Sequence, residues 1–328
     1  MTNSYRFCIA FLWVSLLLTT ICSAATITQT YGVFDVTFYN TGDSDGKYTA
    51  DADWTSEQMA DLEASLNAWQ SQIGNTAGRQ IQLHMFWNNL NISGGKSLGG
   101  SINQRMQAGG QIWNSTEYIW KTGQQVITNK YGYDTAIQLD ITAAGTSWNF
   151  GSDAPGTGEV DFRSVLTHEL GHSLGWDTTY DISADDWGWM YTNRPNGFYA
   201  GLTSWDKNLV DGSGNKPANG GTGTPGNFNQ TDNPVYFDGA NATALYGGLV
   251  PIYAPQTYTY ASSLIHLDDA AFSDFAMSYS IGLGQTARTI SDLELAMMQD
   301  MGWTVVPEPS SVILMISAFS MLRLKKRK

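Results

Sequence analysis

Within five residues, the segment "THELGHSLG" places His168, Glu169 and His172 at the spacing used by metal-dependent hydrolases. On a helix Val165, His168, Glu169 and His172 fall at i, i+3, i+4 and i+7, so both imidazoles and the carboxylate point to one side. Phe162, Leu166, Leu170 and Leu174 then hold the other side in the core. Two imidazoles one turn apart can share a zinc ion, and a carboxylate beside them can take a proton from water. Zinc lowers the pKa of a water it binds to about 7, which makes hydroxide accessible at neutral pH. The pattern uses two of the chain's 4 histidines, and a site that only stabilises the fold has no need of Glu169.

A catalytic zinc usually takes three protein ligands and keeps one position open. Where the extended form of the motif carries a third histidine, this chain has Thr178. After Glu169 the only glutamates are Glu294, inside the last predicted helix, and Glu308, close to the C-terminus, so a downstream glutamate ligand is nearly excluded. Two candidates remain. Asp177 lies nine residues after His168, and His266 is the only histidine downstream of the motif.

The elements that must position these residues follow from periodicity. Residues 31–39 ("YGVFDVTFY") alternate like a half-buried strand, with Phe34, Val36 and Phe38 on one face. From Thr55 the apolar residues Met59, Leu62, Leu66, Trp69 and Ile73 come three and four apart, Thr55 and Gln58 form a capping box, and Gly74 is the predicted stop. Residues 80–87 and 135–142 read as strands separated by a Gly- and Asn-rich stretch. The motif helix should start near Asp161 and end at Gly175. A long Gly-, Asn- and aromatic-rich region spans about 176–233, and a last helix is capped by Ser291 and Glu294 and stopped by Gly302.

His168, Glu169, His172, Gly175, His266 and Met277 together resemble the metzincin zinc peptidases, specifically the leishmanolysin-like branch. In that branch an insertion, here 93 residues between His172 and His266, separates the glycine after the motif from the third zinc histidine. The resemblance implies an α+β fold with a twisted mixed sheet, two long helices above the cleft and an irregular C-terminal lobe. It also implies zinc held by His168, His172 and His266, with a methionine turn at Met277 under the metal. Tyr279 would be placed to swing onto the metal and stabilise the oxyanion, although a tyrosine there serves equally as a core aromatic. His84, beside Gln80 and Gln82 on the polar face of its strand, reads as a solvated or satisfied histidine rather than a ligand. Asp268 and Asp269 are candidates to bind calcium or to orient His266, or form a solvated turn.

The two ends suggest where the protein works. Arg6, the apolar run Phe7–Leu18 and the small residues of "CSAA" read as a signal peptide over residues 1–24. Both cysteines, Cys8 and Cys22, lie inside it, which leaves the exported body without disulfides or a cysteine that could block the zinc. Residues 306–328 join Pro307-Glu308-Pro309, an apolar run and a basic end, and resemble the PEP-CTERM sorting signal. That resemblance implies an exosortase-type partner, transient retention in the inner membrane of a Gram-negative bacterium, delivery to the surface or medium, and association with extracellular polysaccharide. Between the two signals, 25–305 is expected to form the catalytic domain, with lobes at 25–175 and 176–305. Of 17 basic residues 6 lie in the end segments, against 1 of 30 acidic ones, so the body is strongly acidic and repels nucleic acid. The leading expectation is an exported zinc metalloendopeptidase acting on protein or peptide, with Glu169 as general base. Its rival is a non-catalytic surface or matrix protein with a structural zinc site, or with a cleft that takes a polysaccharide or partner.

Overall fold

A computed structural model of the chain describes residues 26–74, 79–91, 97–124, 130–180, 189–191, 198–217 and 234–306. The expected signal peptide and everything beyond Val306 lie outside the described residues. No helix among the described residues is long and apolar enough to cross a membrane.

The first element is a hairpin of β1 (Ile27–Tyr31) and β2 (Phe34–Tyr39) rather than one strand over 31–39. Gly32 adopts φ +59 between the strands, where its missing side chain removes the steric penalty of the left-handed region. α1 (Ser56–Gln70) begins at the capping box that the spacing of Thr55 and Gln58 predicts. It ends at Ser71, one turn before Gly74; Ile73 stays in the apolar series because it is buried beside the helix, pairing with Val305. β3 (Ile81–Asn88) then enters the sheet.

The Gly- and Asn-rich stretch contains more order than its composition suggests. It holds β4 (Gly99–Asn103), the hairpin β5 (Arg105–Ala108) and β6 (Gln111–Asn114), and α2 (Ser115–Thr122). β7 (Thr135–Asp140) completes a five-stranded mixed sheet of order β1-β2-β3-β7-β4, in which β2, β3 and β7 run parallel while β1 and β4 are antiparallel edges. The short parallel pair β8 (Ser147–Asn149) and β9 (Glu159–Asp161) leads into α3 (Phe162–Ser173), the helix that carries the motif.

After α3 come the pair β10 (Trp189–Tyr191) and β11 (Phe198–Ala200), and a three-stranded sheet of β12 (Leu209–Asp211), β13 (Val235–Phe237) and β14 (Val250–Ile252), with α4 (Ala240–Tyr246) between the last two strands. α5 (Asp269–Phe272) and α6 (Asp292–Asp300) close the chain, α6 on the capping box of Ser291 and Glu294 with Gly302 (φ +88) beyond its end. The fold is thus mixed α+β, with a mixed sheet and six α-helices among the described residues.

One face of the sheet, Phe34, Val36, Phe38, Leu83, Met85 and Trp87, packs with Leu62, Leu66 and Trp69 of α1 and Phe162, Leu166 and Leu170 of α3. The same cluster runs on through Trp205, Phe237, Met277 and Met297, so the segments on either side of residue 175 share one core. α1 is tied to the backbone of α3 by Trp69 Nε1 donating to the Thr167 carbonyl at 2.9 Å and by Ser65 Oγ donating to the Arg163 carbonyl at 3.1 Å.

The opposite face is where the alternating pattern misleads. His84 lies on the supposedly polar face, but that face is covered by a second small core of Tyr39, Ala50, Phe86, Tyr133 and Ala136, and His84 is only 6% exposed. Its Nδ1 lies 3.4 Å from Asp45 Oδ2 and 3.3 Å from the Tyr39 hydroxyl, so it is a satisfied interior histidine far in sequence and in partners from the motif. Burial lowers its pKa below 6.5, with Asp45 opposing the shift. Above pH 6.5 the ring is neutral folded or unfolded; as pH falls below that value the unfolded chain takes up a proton that the folded ring resists, and stability is lost. Urea unfolding between about pH 7.5 and 5 should therefore show a smaller loss of stability in His84→Gln than in the parent. Equal slopes would assign the acid sensitivity to other groups.

Candidate metal centre

α3 is fixed at both ends by polar contacts that also aim its histidines. At its start the Asp161 carboxylate accepts the Ser164 N–H at 2.9 Å and is held in turn by the Arg288 guanidinium, with Nε at 2.9 Å. At its end Gly175 adopts φ +114, reversing the chain so that the Trp176 carbonyl faces back to the helix. That carbonyl accepts a hydrogen bond from His172 Nδ1 at 2.7 Å. The helical backbone carbonyl of His172 is itself taken by two amides, Asn103 Nδ2 at 3.1 Å and Asn114 Nδ2 at 3.3 Å.

His266 arrives from the far side of the insertion. Its segment lies between β14 and the Met277 turn: the Tyr253 N–H donates to the His266 carbonyl at 2.9 Å, and the Leu267 N–H donates to the Met277 carbonyl at 2.9 Å. Leu264, two residues earlier, sits at φ +73, an unfavourable region for a branched side chain. It is held there by its own N–H on the Tyr253 carbonyl at 2.9 Å and by Trp205 Nε1 on its carbonyl at 2.7 Å.

All three rings share one arrangement. His168 Nδ1 lies 2.8 Å from the Ala276 carbonyl, His172 Nδ1 2.7 Å from the Trp176 carbonyl and His266 Nδ1 2.7 Å from the Ser262 carbonyl. A carbonyl oxygen only accepts, so every Nδ1 carries the proton and every Nε2 presents a lone pair. The three Nε2 atoms stand 3.0, 3.0 and 3.1 Å apart. Burial pushes His168 down to about 3 and His172 to about 4, and drives His266 well below its ordinary value, with repulsion among the rings adding to the shifts of His168 and His266. Neutral rings in this tautomer have no proton to place between the nitrogens, so these contacts are not hydrogen bonds. Three lone pairs at this separation repel one another unless a cation lies among them. A triangle of that edge leaves a point about 2.1 Å from every nitrogen, the length of a zinc–imidazole bond. The group could therefore hold a metal, and it is the only group of three or more candidate ligands among the described residues.

Glu169 faces β4. Its carboxylate accepts the Ser101 N–H, and burial still pushes it up to about 8. β4 can lie this close because residue 99 is glycine: a Cβ there would stand 2.9 Å from Glu169 Oε1. His168 is the most open of the three histidines, with His172 8% and His266 5% exposed.

Other residues singled out by sequence take different roles. Asp177 is gripped by Arg105, with Nε at 2.9 Å, and stands outside the histidine group. Thr178 donates to Asp206 Oδ1 at 2.8 Å, while Oδ2 of the same buried carboxylate accepts from the Thr179 N–H, the Thr179 hydroxyl and the Thr203 N–H at 3.0, 2.6 and 3.2 Å. The position where the extended motif has a histidine thus anchors the start of the insertion. Asp268 caps α5 through the Ala270 N–H, and Asp269 accepts from the Ser280 backbone and hydroxyl. Neither carboxylate joins a cation-binding group among the described residues, and the His266 ring is oriented by the Ser262 carbonyl instead.

Met277 is fully buried, and its sulfur packs directly against Gly171. Tyr279 stacks face to face on Tyr253, centroids 3.7 Å apart, and presents its ring to His266 edge-on at 5.9 Å. It is therefore packed as an aromatic and also adjacent to the His266 ring. What sequence reasoning could not supply is the set of three backbone carbonyls, which carry no side-chain signature, and β4, whose "GGSIN" has little strand propensity.

Comparison with known proteins finds no matching family model, no matching curated protein and no matching solved structure.

The contact at Gly171 yields a test. A Cβ added there would overlap the Met277 sulfur, which is walled in by core residues. Gly171→Ala should destabilise the protein by about 1–3 kcal/mol, as overpacking does, and weaken metal binding by displacing the turn. Thermal unfolding together with zinc titration checks both effects.

Proposed function

We propose that the chain is an exported zinc-dependent metalloendopeptidase of the metzincin type, with His168, His172 and His266 as ligands and Glu169 as general base. The observation that carries this reading is the convergence of three unprotonated Nε2 atoms, one of them from a segment 94 positions past His172, with the buried carboxylate Glu169 next to His168 on the same helix. Only three protein ligands among the described residues fit better with a centre that keeps an open position than with a purely structural one, which takes four.

Zinc bound there would supply a Lewis acid that polarises the scissile carbonyl and acidifies water. The chain's own residues handle protons and position the substrate. Glu169 accepts a proton from the attacking water at a carboxylate oxygen and returns it to the leaving amine. Burial makes the ionised carboxylate a stronger base than a solvated one, and a cation held by the three rings would favour the ionised form that the base role needs. The three carbonyls fix the tautomer and direction of the rings while this happens, and burial keeps the rings neutral. β4 is an edge of the main sheet and lies against Glu169, so an extended peptide could pair along it as an added strand. Tyr279, next to His266, is the candidate to stabilise the developing oxyanion.

The purified protein should bind one zinc per chain and digest a casein-type substrate. A chelator should abolish digestion and zinc should restore it. Glu169→Gln should lower kcat by at least about 10²-fold with zinc still bound. Full activity in that variant would sink the role of Glu169. Bound zinc in the parent with no cleavage of any peptide library would favour a non-catalytic surface or matrix protein.

A further inference from the structure

We infer that Glu294 is a positioning residue that sets the geometry and affinity of the metal centre by gripping the Ala276–Met277 turn; this rests on the metal-site reading above. Glu294 is fully buried on α6, and no Lys, Arg or His among the described residues forms an ion pair with it. Its two oxygens divide the work. Oε2 accepts the Ser291 N–H and hydroxyl, each at 2.7 Å, which is the helix cap. Oε1 accepts the Met277 N–H at 2.7 Å, and the Ala276 N–H also donates to the carboxylate. A cap alone has no need of the second oxygen.

The turn held by Oε1 reaches all three ligand segments. The Ala276 carbonyl takes the Nδ1 proton of His168 at 2.8 Å. The Met277 carbonyl accepts from the Leu267 N–H, next to His266, at 2.9 Å. The Met277 sulfur packs on Gly171, next to His172. One buried carboxylate therefore fixes the turn from which each of the three rings is braced, directly for His168 and through a neighbouring residue for the other two.

The test is metal affinity by chelator competition, with zinc and with cobalt, together with the visible spectrum of the cobalt form and the melting temperature without metal. Glu294→Gln should weaken binding by about 10–100-fold and change the cobalt bands, because the amide offers one acceptor oxygen for two tasks. Ser291→Ala, which removes the hydroxyl of the cap but leaves Oε1 on Met277, should lower the metal-free melting temperature while keeping affinity and spectrum. If Glu294→Gln does not fold, Glu294→Asp carries the same test, since the shorter side chain keeps the charge and cannot serve both Ser291 and Met277. Unchanged affinity and spectrum in the Glu294 variant, or an equal loss in Ser291→Ala, would overturn the relay alone. A parent protein that binds neither metal would overturn the metal-site reading with it.

Discussion

The constraint on which the rest of the structure depends is the mutual placement of three imidazole lone pairs about 3 Å apart in a poorly solvated site. Such an arrangement is repulsive by itself and persists only if each ring is held from behind. Each is held by a backbone carbonyl on Nδ1, which fixes tautomer and ring direction together. Carbonyls point where the chain turns, so the requirement passes from the rings to three turns: the helix end at Gly175, the bend after Ala261 and the turn at Ala276. Two of these use left-handed backbone, φ +114 at Gly175 and φ +59 at Ala261. The third is held by Glu294.

The same constraint explains how the insertion is managed. The chain leaves α3 at Trp176 and must return at His266, and the region around Trp205 and Asp206 ties the two points together. Asp206 collects Thr178, Thr179 and Thr203, securing the exit. Trp205 stacks near Trp176, centroids 4.6 Å apart, and donates to the Leu264 carbonyl, securing the return. Burial raises the pKa of Asp206, but four hydrogen bonds to its two oxygens make the carboxylate an organising centre rather than an isolated polar defect.

Much of this was legible in residue order, and the reasons for the gaps are physical. The motif helix, its start at Asp161 and its end by Gly175 follow from periodicity and capping, as do both capping boxes. His266 could be reached by counting, because few histidines exist to choose from. β4 could not, because glycine and serine have weak strand propensity and the strand exists for its place beside Glu169. Tyr31 pairs with Phe34, three residues on, so the alternation changes phase at Gly32 and Val33, and a single residue before that turn is too little for a pattern to show it. For His84 alternation leaves solvated and satisfied equally open, because it tells two faces apart and says nothing about a second layer arriving from residues 39–50.

The acidic residues show where pattern reading is limited in kind. In sequence Glu294 reads as a helix cap and not as a ligand; the cap occupies one of its oxygens, and the residue stands outside the histidine group. Neither describes the other oxygen. A carboxylate has two acceptors with several lone pairs, and a buried one must satisfy them all or carry a desolvation penalty. The cap leaves Oε1 with unused capacity in a site where burial already disfavours the charge. The donors it takes, the N–H groups of Met277 and Ala276, belong to the turn that bears the Met277 side chain, so satisfying the carboxylate and fixing the turn are one event. The helix at the end of the chain is thereby coupled to the helix that carries the motif, across more than a hundred residues of sequence, through a single side chain whose spacing from either histidine carries no recognisable pattern.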